Sequence, residues 1–168
     1  MQRGFTLIEL VMIITLLAIL AAVAIPRFSS YGATKQRNAT MKIASDIRYA
    51  QNRATTTQQR SRVRFVDATN YEVYFCATYT QATCTCASGW SFATDPYTRG
   101  NFQVNLNTDY SGVTIASTVS LLEFDSLGRP YNGGVSCTVS AGATVTVTYS
   151  GEADIPIGIQ QQTGMVSY

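Results

Sequence analysis

One stretch limits what this chain can fold into more than any other. Phe5 to Ile25, FTLIELVMIITLLAILAAVAI, is 21 residues long and carries a single ionisable group, Glu9. As an α-helix it would extend about 31 Å at about 1.5 Å per residue, the thickness of a bilayer core. A carboxylate within such a run costs about 2.5–3.5 kcal/mol on insertion scales, so one that is retained there usually marks function. A short basic leader, Met1-Gln2-Arg3-Gly4, precedes the run, and Pro26 and Arg27 come after it.

Three readings fit the stretch. A cleaved signal peptide would use Arg3 as its basic region and Ala22-Val23-Ala24 as the cleavage site, but a glutamate early in the apolar region and the excess length oppose it. A plain single-pass anchor explains the length and leaves Glu9 without purpose. The third reading rests on a likeness. Gly4-Phe5-Thr6-Leu7-Ile8-Glu9-Leu10, then an apolar run ending in Ile25-Pro26, resembles the class III signal of type IV prepilins and type II secretion pseudopilins. The resemblance implies cleavage between Gly4 and Phe5 by a prepilin peptidase and N-methylation of Phe5. It also makes Glu9 an assembly residue and Pro26 a helix kink.

Beyond Arg27 the helical pattern resumes. Ile43, Ile47, Ala50 and Ala54 form one narrow apolar stripe, and Thr55-Thr56-Thr57 is a β-branched stop. A spine of this kind, apolar first and amphipathic second, must bury its second half against the remainder of the chain. That remainder reads as β. Residues 60–65 and 71–76 alternate, with turn material between them. Placing Val63, Phe65, Tyr71, Val73 and Phe75 on one face sets Phe65 opposite Tyr71 and Arg64 opposite Glu72 on the outer face. Residues 78–100 read as a long loop, and short strands are expected at 101–106, 112–116, 121–124, 135–139 and 144–149, with a final pair within 155–168. The fold class is α+β, a long N-terminal helix packed on a C-terminal antiparallel sheet domain, pilin-like by the resemblance. Its parts are a leader (1–4), a transmembrane and assembly helix (5–26), an amphipathic helix (27–57) and a β-rich globular domain (58–168).

Leu122-Glu123-Phe124-Asp125-Ser126-Leu127-Gly128-Arg129-Pro130, with Gly89-Trp90 ahead of it, is similar to the GspH/FimT group of minor pilins and pseudopilins. From the residues alone this is a strand running into a turn, with Gly128 supplying a positive φ and Pro130 fixing the exit. The likeness favours a minor over a major subunit and implies other pilin-type subunits, the peptidase/methylase and the inner membrane as partners. The protein would sit in the bacterial inner membrane as a single-pass chain, its globular domain in the periplasm, before entering a pilus or pseudopilus.

Four cysteines, an even number, suit an oxidising compartment. Cys84-Thr85-Cys86 has too short a spacing for a zinc knuckle, and a bond between its own two thiols would be strained. Each is therefore expected to pair outward, one with Cys76 and the other with Cys137. Which pairs with which is left open. Histidine is absent, and Asp125, Glu123, Asp109 and Asp95 are scattered and turn-associated, so the default for them is solvated surface. No catalytic role, metal or cofactor is expected.

Charge is segregated. Residues 27–64 hold nine bases and one acid, Asp46, whereas residues 65–168 hold eight acids and two bases. Basic residues crowd the C-terminal flank of the apolar run, and by the positive-inside rule alone they favour the opposite topology. Arg60, Arg62 and Arg64 are the candidate contact for nucleic acid or a protein partner. DNA capture, a property of some members of the resembled group, is disfavoured because residues 151–168 contain no lysine or arginine to neutralise phosphate.

Overall fold

The computed structural model describes residues 5–29, 31–80, 83, 85–133 and 142–168, with 23–29 described as backbone only. Helix α1 runs Leu7–Ser29 and α2 runs Tyr31–Thr57. Thr6 caps α1. Its hydroxyl accepts the Glu9 backbone N–H at 3.3 Å and its carbonyl accepts from Leu10 at 3.2 Å. Pro26 lies inside α1, whose backbone continues past it for three residues to Ser29. The threonine run ends α2 as expected. Thr55, Thr56 and Thr57 turn their hydroxyls back on the carbonyls of Asn52 and Arg53, and Gln58 takes a positive φ of 56°.

The apolar stripe on α2 is the centre of the domain. Ile43, Ile47, Ala50 and Ala54 are fully buried, together with Ala39 and Ala44. Two antiparallel sheets share this helix. The first has the order β5-β2-β1-β8-β9, with β6 also pairing β2, and comprises β1 (Arg60–Phe65), β2 (Asn70–Cys76), β5 (Ser91–Phe92), β6 (Gln103–Asn105), β8 (Leu121–Phe124) and β9 (Pro130–Asn132). The second has the order β12-β11-β10-β7, built from β7 (Val113–Ser117), β10 (Ala143–Tyr149), β11 (Ile155–Ile159) and β12 (Val166–Ser167). A small hairpin, β3 (Tyr79–Thr80) with β4 (Thr85–Cys86), stands apart, and α3 (Leu106–Asp109) is a single turn.

The β1–β2 register sets Phe65 against Tyr71 and Arg64 against Glu72, as the alternation requires. Val63, Tyr71 and Val73 then meet the helix, joined by Leu122 and Phe124 of β8, all fully buried. The second sheet adds Val145, Val147 and Ile157, while the threonines between them stay half-buried. Gln36 ties the two layers. Its amide donates to the Val147 carbonyl at 2.8 Å and the Ala153 carbonyl at 2.9 Å.

Several expectations change. The loop expected over 78–100 contains β3, β4 and β5, and the strand expected at 101–106 is shortened to Gln103–Asn105 because Asn105 caps the turn of α3. Pro130–Asn132 forms an unforeseen strand, where proline is tolerated as the first residue on a sheet edge. The strand expected at 135–139 lies outside the described residues.

Candidate functional site

Two regions could meet a partner: the first helix, and the face of the first sheet that turns away from α2. On α1 every residue from Phe5 to Ala22 is exposed, including Leu7 at 81 % and Leu20 at 65 %. Among the described residues nothing in the globular domain covers this apolar surface. Thr15 satisfies its hydroxyl on the carbonyls of Val11 and Met12, so it adds no polar demand. Glu9 differs. It stands in the first helical turn, exposed, and its carboxylate makes no hydrogen bond or ion pair among the described residues. Among the described residues no helix is long and apolar enough to cross a membrane. Phe5, at 71 % exposure, precedes the helix, and Gly4 lies outside the described residues.

The second region overturns the expectation of solvated acids. Glu123 projects from β8 to the outer face and is only 2 % exposed. Its carboxylate bridges two arginines from the neighbouring strand: Arg60 Nη1 at 3.1 Å, and Arg62 through both Nε at 2.9 Å and Nη2. Aromatic rings complete the cluster. The Arg60 guanidinium is sandwiched between Tyr79 and Tyr131 at 4.0 and 4.2 Å from the ring centroids, and Arg62 lies 3.7 Å from the Trp90 centroid. Gly133 is required beside it, since a side chain there would collide with the Glu123 carboxylate. A disulfide joins Cys76, at the end of β2, to Cys86, with 5.8 Å between their Cα atoms. It ties down the loop that carries Tyr79 and Trp90. This is one of the two pairings left open for Cys76. Cys84 and Cys137 lie outside the described residues.

The three arginines therefore do not form one solvated patch. Arg60 is buried, Arg62 is half-buried, and both are held by Glu123. Arg64 alone is exposed, and it reaches Glu72 at 3.9 Å. Strict alternation placed all three on the outer face, but it carries no information on what covers that face. Only Trp90 offered a hint, because a lone tryptophan near cysteines must bury its ring somewhere.

Asp125 is likewise no surface acid. Its carboxylate accepts from the backbone N–H groups of Leu127 and Arg129, both at 2.9 Å, from Arg129 Nε at 2.8 Å, and from the Tyr131 hydroxyl at 3.1 Å. Burial alone would raise its pKa, but the Arg129 and Leu127 contacts outweigh that and hold it below the usual carboxylate value. It shapes the β8–β9 turn, with Gly128 at φ 77° as expected. Asp95 is buried too, and burial again opposes hydrogen bonds from Tyr97 and Thr98 that win and lower its pKa. Asp109 is exposed. On α2, Asp46 is 6 % exposed, accepting from Lys42 and from the Tyr71 hydroxyl at 2.6 Å. Burial dominates and raises its pKa despite both partners.

Comparison with known proteins bears on both regions. Residues 1–25 match the prokaryotic N-terminal methylation motif. The type IV major fimbrial protein FimA of Dichelobacter nodosus is 42% identical over 50 residues, which is 30% of this chain and 32% of that protein, so the chain matches about a third of its relative's length. Among solved structures, the minor pseudopilin EpsH of the Vibrio cholerae type 2 secretion system superposes with a TM-score of 0.55 at 13% identity, covering 79% of this chain and 94% of EpsH. The type IV minor pilin FimU of Pseudomonas aeruginosa gives 0.53 at 11% identity, covering 80% and 88%. The expected α+β architecture is the observed one, an N-terminal helix followed by an antiparallel sheet domain. The chain thus carries the N-terminal methylation motif of prepilins, followed by the fold of the minor pseudopilins and minor pilins.

Proposed function

We propose that this protein is a structural, non-catalytic subunit of a type IV pilus or type II secretion pseudopilus, processed at Gly4–Phe5 and assembled through α1. The observation that carries the reading is the uncovered apolar surface of residues 5–22 with one unpartnered carboxylate, Glu9, in its first turn. Lipid covers that surface before assembly, and parallel helices of neighbouring subunits cover it afterwards. In this reading the stretch from Phe5 to Ile25 anchors the chain in the inner membrane and the disulfide-bonded domain faces the periplasm, an oxidising compartment. A minor subunit fits better than a major one, given the Phe124–Pro130 segment and the folds it resembles. The neutralised Arg60 and Arg62 support a structural role over phosphate binding.

Cleavage after Gly4 creates an amine on Phe5, and methylation leaves it cationic. An incoming helix offset along the axis brings Glu9 to the Phe5 amine of the preceding subunit. A buried pair is stable only when both charges are present, and losing one partner costs about 3–5 kcal/mol. Glu9→Ala should therefore leave membrane insertion and processing intact while sharply reducing the amount recovered in sheared filaments. Intact mass should also show loss of Met1 to Gly4 and gain of about one methyl group. Normal incorporation of the Glu9→Ala protein would refute the pairing.

A further inference from the structure

Half of the ten cations described on this domain have a carboxylate partner. Lys42, Arg60, Arg62, Arg64 and Arg129 each form an ion pair within the chain. Lys35, Arg37, Arg48, Arg53 and Arg99 do not, among the described residues, and of these Arg48 and Arg53 share one groove. Arg48 donates to the Val166 carbonyl at 2.9 Å and faces the Tyr168 ring at 5.4 Å. Arg53 reaches the Thr57 hydroxyl at 3.4 Å and lies 4.0 Å over the Phe75 ring. Both line an open groove of about 710 Å³ between the outer side of α2 and Thr94, together with Ser45, Tyr49 and Asn52. Aromatic rings, a carbonyl for Arg48 and a hydroxyl for Arg53 hold the two guanidinium groups in place and leave their charge uncompensated.

A complementary charge pair lies on the β10–β11 turn. Asp154 is exposed and accepts from the Thr148 hydroxyl, and Glu152 is half-buried; neither has an ion-pair partner among the described residues. The position of this turn along the spine is fixed. Gln36 binds the Ala153 carbonyl, and the Glu152 carboxylate lies close beside Gly32. From Gln36 to Arg48 and Arg53 is 12 and 17 residues of helix, about 18–26 Å at about 1.5 Å per residue. That exceeds a screening length of about 8–10 Å, so the two ends cannot neutralise each other within one chain.

We propose that Arg48 and Arg53 receive the acidic turn, Glu152 and Asp154, of a second copy of this chain displaced along the helix axis. The proposal rests on the filament-subunit reading and adds to it a contact between globular domains. Such a contact is heterologous: the donor and acceptor patches are different, and each copy keeps one of each free for the next, so the array does not close. Charge complementarity of this kind sets axial offset and selects the partner. It would also let copies follow one another, which a subunit present once per filament would not need.

The experiment is charge reversal in the full-length protein, measured as the ratio of the sheared-filament pool to the processed membrane pool. Arg48→Glu with Arg53→Glu should lower that ratio by about tenfold, as should Glu152→Lys with Asp154→Lys, and combining all four should restore it to within about twofold of wild type. Unchanged incorporation of either double variant overturns the proposal. So does loss with the arginine pair alone, which would assign the groove to a different subunit. Because a reversal could act through folding, a photo-crosslinker at Asn52 in the otherwise native chain gives a second measurement. A crosslink to residues 150–156 of another copy supports the contact, and one to any other segment or protein overturns it. Absence of the wild-type protein from sheared filaments would instead defeat the underlying filament reading.

Discussion

The two helices of the spine are made of the same element and face opposite problems. Helix α2 has its apolar stripe covered by two sheets of its own chain, and even its buried polar groups, Gln36 and Asp46, are partnered there. Over residues 7–22 helix α1 is exposed and apolar apart from Glu9 and Thr15, and among the described residues nothing covers it and the Glu9 carboxylate has no partner. A buried stripe is a statement about folding; an exposed apolar run of helix is a statement about what the folded chain will next associate with. Disturbing a covered group should cost stability, and disturbing an uncovered one should cost assembly.

Carboxylates give the largest expected contrast. Glu123→Gln leaves Arg60 and Arg62 without a counter-charge in a covered cluster and should lower unfolding stability by about 3–5 kcal/mol. Glu9→Gln should leave the denaturation midpoint of the detergent-solubilised full chain unchanged. Equal effects in the same denaturant titration would break the comparison. Apolar residues come next. Ile47→Ala, in the fully buried stripe, should cost about 2–4 kcal/mol, whereas Leu16→Ala should stay within about 0.5 kcal/mol.

The smallest effect is a pH dependence on α2. Burial raises the Asp46 pKa above its ordinary value of 3.8, so the folded state holds this proton more tightly than the unfolded chain does. Its contribution to stability is fully present below the ordinary value and is lost as pH rises through the raised one. Asp125, whose pKa is lowered, acts in the opposite sense, its contribution being lost as pH falls through its depressed value. Subtracting the stability–pH curve of Asp46→Asn from that of wild type should isolate a difference that declines across this window. A difference that rises with pH there would show that the Lys42 and Tyr71 contacts, not burial, control Asp46.

Legibility in the sequence tracked local geometry. The stripe Ile43, Ile47, Ala50 and Ala54, the pairing of Phe65 with Tyr71, and the positive φ at Gly128 each depend on chain direction and side-chain period, which neighbours along the chain define. Glu123, Asp125 and Asp95 read as surface acids because their identity says nothing of coverage. Glu123 is held by residues that the fold brings from elsewhere, whereas the partners of Asp125 and Asp95 are residues two to six positions along the chain. Glu123 meets arginines about 60 residues away and rings delivered by a disulfide-tied loop. The Thr6-x-x-Glu9 spacing did announce a helix start and could have located the cap on α1.

The sequence by itself determined that this chain has an apolar N-terminal helix, an amphipathic continuation, and strands to cover that continuation. Period and polarity are properties of consecutive residues, and Glu9 stands out against 20 uncharged neighbours without any fold. Only the tertiary structure decided which charges are spent inside the domain and which remain for a neighbour. Arg60 and Arg48 are the same residue type on the same basic stretch. One is sealed between two tyrosines beside a glutamate, and the other lies in an open groove without a counter-ion among the described residues. That difference comes from strand pairing and loop closure across long separations, which no local pattern encodes.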